Sequence, residues 1–437
     1  NTTGSNNTAV GFIALDANTT ANNNTAVGYA SLSANTTGAD NTAVGREALL
    51  SNTTGASNVA VGSTALDANT TADYNTAVGQ ASLTANTTGN TNTAVGYSAL
   101  SSNTVGDRSV AVGYYALYAQ NPATNVDMYN IGVGHNAGAS ITVGVHNTLV
   151  GGLSADALTE GSQNSVLGYR ALTKDTLGSK SVAIGDQALE EQNFTTATDV
   201  YNVAVGVLAG NQTTTGKSNT FIGAEAGRLN TTGENNVFVG HEAGEANTTG
   251  HSNVAVGRDA FTANTTGSEN TAVGYQALDA NTTAENNTAI GRLAGTGITT
   301  GGLNTIVGAA AMQLNSTGAN NVAVGASALA AALGSDNVAV GKSAGDAVTT
   351  GANNILMGTD AGGSLTTGNR NVIVGKDAFS QATTISDVTA VGFKALESAA
   401  GTGHTAVGYQ AGLDITTAVQ GTYVGYQAGY KLTTGNN

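Results

Sequence analysis

The chain has no cysteine, no tryptophan and a single proline, Pro122, in 437 residues. Without cysteine it can form no disulfide and offers no thiolate to a metal, which removes the usual staples of small secreted domains. Charge is scarce as well: Asp, Glu, Lys and Arg together make 10% of the residues, with a formal net charge of −15 at pH 7. The 14 Lys and Arg residues are scattered along the chain, so no concentrated positive surface exists for a phosphate backbone, and nucleic acid is not an expected partner. No apolar run approaches the roughly 20 residues of a membrane-spanning helix, so no membrane insertion is expected of this segment. Aromatic residues make only 5%, which leaves small and aliphatic side chains to do the packing.

One phrase fills the chain instead. NTAVG and close variants occur 25 times, and the closing glycine falls at Gly11, Gly28, Gly45, Gly62, Gly79, Gly96 and Gly113, then again from Gly223 through Gly308 on the same beat of 17 residues. A period this short means that each repeat is a small unit that cannot bury its own apolar face and must stack on its neighbours. Polar, low-charge composition is also compatible with disorder, but disorder does not hold β-branched and apolar residues in register over so many copies. The expectation is a single continuous array over 1–437. The chain opens in mid-repeat and stops where another copy would begin, which reads as a segment of something longer.

Each position of the repeat has a reading. The first is Asn in 20 of 25 copies, the second is mostly Thr, Val or Ile, and the fourth is always Val, Ile, Leu or Met. Second and fourth share one face of a strand, and β-branched residues favour it. The fifth, Gly, breaks the strand. The eighth is Ala in 22 copies and Ser at Ser31, Ser82 and Ser154, which points to tight packing, with the fourth residue of one strand facing the eighth of another. NTTG closes the turn. Two short strands and two turns per repeat describe one coil of an all-β parallel solenoid or β-roll, and about 25 coils at strand spacing give a length on the order of 120 Å. Asn7, Asn24 and Asn41 then form one ladder and Asn18, Asn35 and Asn52 a second. The NTT segments are also formal N-glycosylation acceptors.

The third position is apolar too, mostly Ala but with Leu149, Phe221, Phe238, Ile306, Leu356, Ile373 and Tyr423 among the copies. It points away from the second and fourth, so a strand apolar on both faces leaves a stripe for another chain to cover. Those seven residues are the expected oligomer contacts, with a closed ring of three the favoured arrangement. A wider single-chain solenoid that covers the stripe itself is the alternative.

The segments SVAIGDQAL at Ser181 to Leu189 and SVAVGYYAL at Ser109 to Leu117 resemble the head repeats of the YadA family of trimeric autotransporter adhesins. NTAVGYQAL followed by NTT, at Asn270 to Thr283, is similar to repeats of phage tail-fibre proteins. Essentially the whole chain matches, although the adhesin repeats are shorter. The resemblance implies a left-handed β-roll, a homotrimer, and an extracellular place on a cell surface or virion fibre, used for attachment to a glycan or protein receptor.

The beat slips by four residues within 114–133 and within 186–205, where AQNPATNVDMYN and EQNFTTATDVYN resemble each other. Loops on a rigid scaffold often bind ligands, so Tyr118, Asn121, Phe194 and Tyr201 are the candidate receptor contacts. No cofactor is expected, and no catalytic or metal constellation emerges: the five His residues share no repeat position, and the acidic residues form no pair. The functional expectation is a non-catalytic fibre shaft or adhesin. Ice binding by a Thr row, Thr19, Thr36, Thr53 and Thr70, is the alternative.

Overall fold

A computed structural model of the chain describes residues 2–416 and 420–432. It is all-β, a parallel β-solenoid of about 25 coils, divided into two compact units, Asn1–Asn219 and Thr220–Asn437. Among the described residues, 12 three-residue strands lie in the first unit and 13 in the second. Within a unit each strand pairs in parallel with its equivalent one coil on, so that like meets like: Thr25 with Thr42, Ala26 with Ala43, Phe221 with Phe238.

Most coils have one strand rather than the two expected; among the described residues a short second strand forms at Gly178–Ser179, Thr198–Asp199, Asp414–Ile415 and Lys431–Leu432. The stretch after the invariant glycine runs instead through successive turns, with non-glycine residues at positive φ in the seventh and ninth positions, for example Ala30 at 53° and Leu32 at 52°. Left-handed backbone is costly for residues with a Cβ, but it lets the turns bond in both directions along the stack. Ala30 N–H donates back to Phe12 O at 3.0 Å, while Leu32 N–H donates forward to Ala48 O at 2.9 Å. The fifth-position glycine has a different requirement. At Gly28 φ is 140°, and a Cβ would strike the carbonyl oxygen of Gly45 in the next coil, so only glycine fits.

The two faces of the strand are reversed relative to the expectation. From Ala26 to Ala406 the third residue is buried in every strand, while the second and fourth are half-buried or exposed. Leu149, Phe221, Phe238, Ile306, Leu356 and Ile373 are fully buried inside their own chain, and Tyr423 lies largely covered against Gly412 and Gly429. The first six fill the coil, so they are not oligomer contacts. The reason is size: the third residue faces the ninth across the coil, and the two share one volume. In most coils where the third is Ala, as at Ala43 and Ala77, the ninth is Leu, as at Leu49 and Leu83. Where it is large, a glycine makes room. A Cβ on Gly227 would strike the Phe221 ring and one on Gly244 the Phe238 ring, while in adjacent coils Gly138 accommodates Leu149, Gly295 accommodates Ile306 and Gly345 accommodates Leu356.

Beside this apolar packing the interior carries two asparagine ladders. The first-position Asn accepts the N–H of its successor, as Asn24 Oδ1 does from Asn41 at 2.9 Å, and donates across the coil, as Asn41 Nδ2 does to Gly55 O at 2.8 Å. The second ladder meets the same carbonyl: Asn52 Nδ2 donates to Gly55 O at 2.9 Å and to Asn35 Oδ1 at 2.9 Å, and Asn69 Nδ2 donates to Asn52 Oδ1 at 2.7 Å. These asparagines are fully buried, so the folded coil has no room for a glycan on the NTT sequons of the second ladder. The second ladder is not continuous. It gives way to Ile141 and Leu158 in the first unit, and in the second to Ile298 and then to Ala332, Val348, Leu365, Ala382, Ala399 and Ile415, all buried. Beside Ile298, Asn264 Oδ1, both amide atoms of Asn281 and Asn315 Nδ2 are left without a partner.

Two outcomes follow from this interior. Asn52→Leu orphans partners on both sides and should cost about 1–3 kcal/mol, whereas Asn281→Leu removes an amide that has no partners and should be neutral or stabilising; equal losses of hydrogen-exchange protection in the flanking coils would refute the ladder. Phe238→Ala should cost about 3–5 kcal/mol, read from denaturant unfolding of the chain, because Gly244 leaves nothing to collapse into the hole.

Candidate functional site

The two insertions are built alike, and the coil that carries each is re-engineered inside. Both coils replace the first-position Asn by Ser, at Ser109 and Ser181, and the twelfth by Gln, at Gln120 and Gln192. The shorter and the longer side chain meet: Gln120 Nε2 donates to Ser109 Oγ at 3.0 Å and Gln192 Nε2 to Ser181 Oγ at 3.1 Å. Each Gln carbonyl then takes the amide of the next coil, from Asn130 at 3.0 Å and from Asn202 at 2.9 Å. The ladder is thereby carried past the extra residues.

Outside, the Asp-x-Tyr that ends each insertion closes on a basic residue of the preceding coil. Arg108 pairs with Asp127 and donates to Tyr129 Oη at 2.9 Å, with its guanidinium 5.6 Å from the ring centre. Lys180 pairs with Asp199 at 2.6 Å and donates to Tyr201 Oη at 3.2 Å, 5.2 Å from that ring centre. These contacts hold both cations above their ordinary pKa, for Arg108 chiefly through Tyr129 and then Asp127, for Lys180 chiefly through Asp199 and then Tyr201.

The sequence-derived receptor contacts therefore separate. Tyr201 is 53% exposed but engaged with Lys180, and Asn121 is exposed and accepts from Thr104 Oγ1 at 2.7 Å. Phe194 is buried, 6% exposed, where Pro122 is buried in the first insertion; it plugs the interior and is not a receptor contact. Tyr118 is 40% exposed and joins a cluster that the sequence reading left scattered. The sixth position of consecutive coils stacks Tyr97 on Tyr114 at 5.3 Å and Tyr114 on His135 at 5.1 Å, and Tyr115 lies 4.3 Å from Tyr114 and 4.7 Å from Tyr118 between ring centres. The Tyr115 phenol, hydrogen-bonded to Tyr114, is pushed up to about 12. A similar stack joins Phe393, Tyr409 and Tyr426. Alignment of the residue after each closing glycine, coil by coil, is the sequence signal for both stacks.

The Thr row has its hydroxyls committed: Thr19, Thr36, Thr53 and Thr70 each donate to the next threonine carbonyl at 3.0 to 3.1 Å. Of the histidines, His404 is buried in an asparagine's place and its Nδ1 accepts from Gly421 N–H at 3.1 Å, while His241 lies beside Glu242 and Asp259, the donor set best suited to a cation. Among the described residues no helix is long and apolar enough to cross a membrane. The chain matches no model of a known protein family and no curated protein sequence.

One buried carboxylate stands in the second ladder. Asp175 is fully buried and accepts from Gln192 Nε2 at 2.6 Å and from the N–H groups of Phe194 and Gly178, each at 3.1 Å. Burial pushes its carboxyl up despite these donors. A folded pKa above the unfolded one means that the folded state holds the proton longer, so this group's contribution to stability falls as pH rises from the unfolded to the folded pKa. Asp175→Asn should therefore be more stable than the parent at pH 7, by thermal unfolding, with the gap narrowing toward pH 4; a variant less stable at pH 7 would contradict this.

Proposed function

We propose that the chain is a non-catalytic shaft segment of a surface fibre or adhesin, extracellular on a cell or virion, in which copies of the chain assemble side by side as a homotrimer. The observation that carries this reading is the outward strand face. The fourth residue is Val, Ile, Leu or Met in every copy, yet it is never buried within the chain: Leu167 is 51% exposed, Ile222 40%, Met357 40% and Val407 39%. A strand face this long and apolar is more than a soluble monomer leaves open, and identical chains under rotational symmetry are its simplest cover. The resemblance to adhesin head repeats and tail-fibre repeats supports the same arrangement.

Attachment in this reading belongs to side chains that stand clear of the stack, Tyr118 with its neighbouring rings and Asn121 foremost, facing a glycan or protein receptor. The ice-binding alternative is less favoured because its Thr hydroxyls are already donated within the chain. Light scattering on the chain in solution should give about three times its 42.9 kDa. The set Val239→Asp, Val256→Asp and Val273→Asp, all outward-facing, should reduce the mass to one chain with circular dichroism unchanged; a monomeric parent would overturn the proposal.

A further inference from the structure

Three potential ligands converge in the second unit outside everything assigned above. His241 and Glu242 follow the glycine of one coil, and Asp259 follows that of the next. His241 Nδ1 lies 3.4 Å from Glu242 Oε1 and 3.9 Å from Asp259 Oδ1, and the three ligand atoms lie within 4.8 Å of one another. Zinc bonds of about 2.0–2.2 Å to His and carboxylate place tetrahedral ligand atoms roughly 3.3–3.5 Å apart, so the first pair already spans one edge and small rotations of surface side chains bring in the third.

The electrostatics are those of an unfilled demand for positive charge. The Asp259 side chain is 14% exposed, its Oδ2 meets Arg258 Nε at 3.4 Å, and its Oδ1 is buried with no hydrogen-bond partner. A buried, unpartnered carboxylate oxygen is costly, and the imidazole at 3.9 Å is too far for a hydrogen bond. Neighbouring charge relieves it only in part: Arg258 reaches Oδ2 alone, Arg228 is engaged chiefly by Glu245 and Glu225, and Asp279, whose carboxyl is raised chiefly by burial, adds repulsion with Asp259. One imidazole nitrogen with two carboxylate oxygens selects a borderline transition-metal ion over Ca²⁺ or Mg²⁺, which take oxygen ligands.

We propose that His241, Glu242 and Asp259 form a site for a divalent ion of the zinc class, with solvent completing the coordination on the exposed His241 side. The ion clips one coil to the next. It binds the folded stack and so stabilises the second unit by mass action.

The test is calorimetric titration of the untagged, full chain with zinc chloride, beside His241→Ala, Asp259→Asn and a parallel calcium titration. The expected result is one zinc per chain, affinity reduced at least tenfold in each variant, and a rise in unfolding temperature with zinc in the parent alone. His241 is exposed and Asp259→Asn conserves shape, so both variants should keep the parent circular dichroism spectrum. Absence of saturable zinc binding, binding unchanged in both variants, or calcium bound more tightly than zinc would each overturn the site.

Discussion

A carbonyl in the turn of the coil has to be satisfied inside a buried interior, and in most coils the asparagine amide is the group that does it. An amide donates on one side and accepts on the other, so each asparagine can serve its own coil and the next at once, as Asn41 and Asn52 do at Gly55. Period, register and composition follow from this. A coil that slipped by one residue would take every amide in its stack out of line with its partners. The apolar part of the interior is thin, and hydrophobic burial alone would not hold so exact an alignment. Where the chain gives up the second ladder, it does so over several coils together, from Ala332 to Ile415, because an isolated break leaves orphans of the kind found at Asn281.

The period, the solenoid, the parallel register and both asparagine ladders were legible from the repeat. The direction of the strand faces was not. Positions two, three and four are all apolar or β-branched, so alternation identified two faces without saying which was inside. The ninth position would have decided it: Leu beside Ala, and Gly beside Phe221 and Phe238, is the signature of two residues sharing one space, whereas an intermolecular seam has no reason to shrink a residue six positions away. The second strand was expected because its residues are small and aliphatic, and nothing in Leu32 or Leu49 announces a left-handed backbone.

The insertions show how the stack tolerates irregularity. Ser109 with Gln120 and Ser181 with Gln192 shift one carbon's length from one ladder to the other, and the Asp-x-Tyr ending fastens the loop to the coil before it. What remains for contact with other molecules is therefore narrower than the inserted sequence. Phe194 is interior and Tyr201 is partly spoken for, while Tyr118 packs against Tyr115 at the edge of the tyrosine stack. The outward valines, in contrast, extend through nearly every coil of both units and are the larger unmet surface.

The sharing of volume between third and ninth residues has a genetic consequence. A gene of near-identical repeats gains and loses copies readily by unequal crossing-over, and most coils here could be duplicated or deleted without injury. Coils joined by a glycine on one side and a bulky residue on the next, Gly138 with Leu149, Gly295 with Ile306, Gly345 with Leu356, cannot be parted without leaving a void or a collision. They must be inherited as blocks. Length in this lineage should vary by whole coils everywhere except across those junctions.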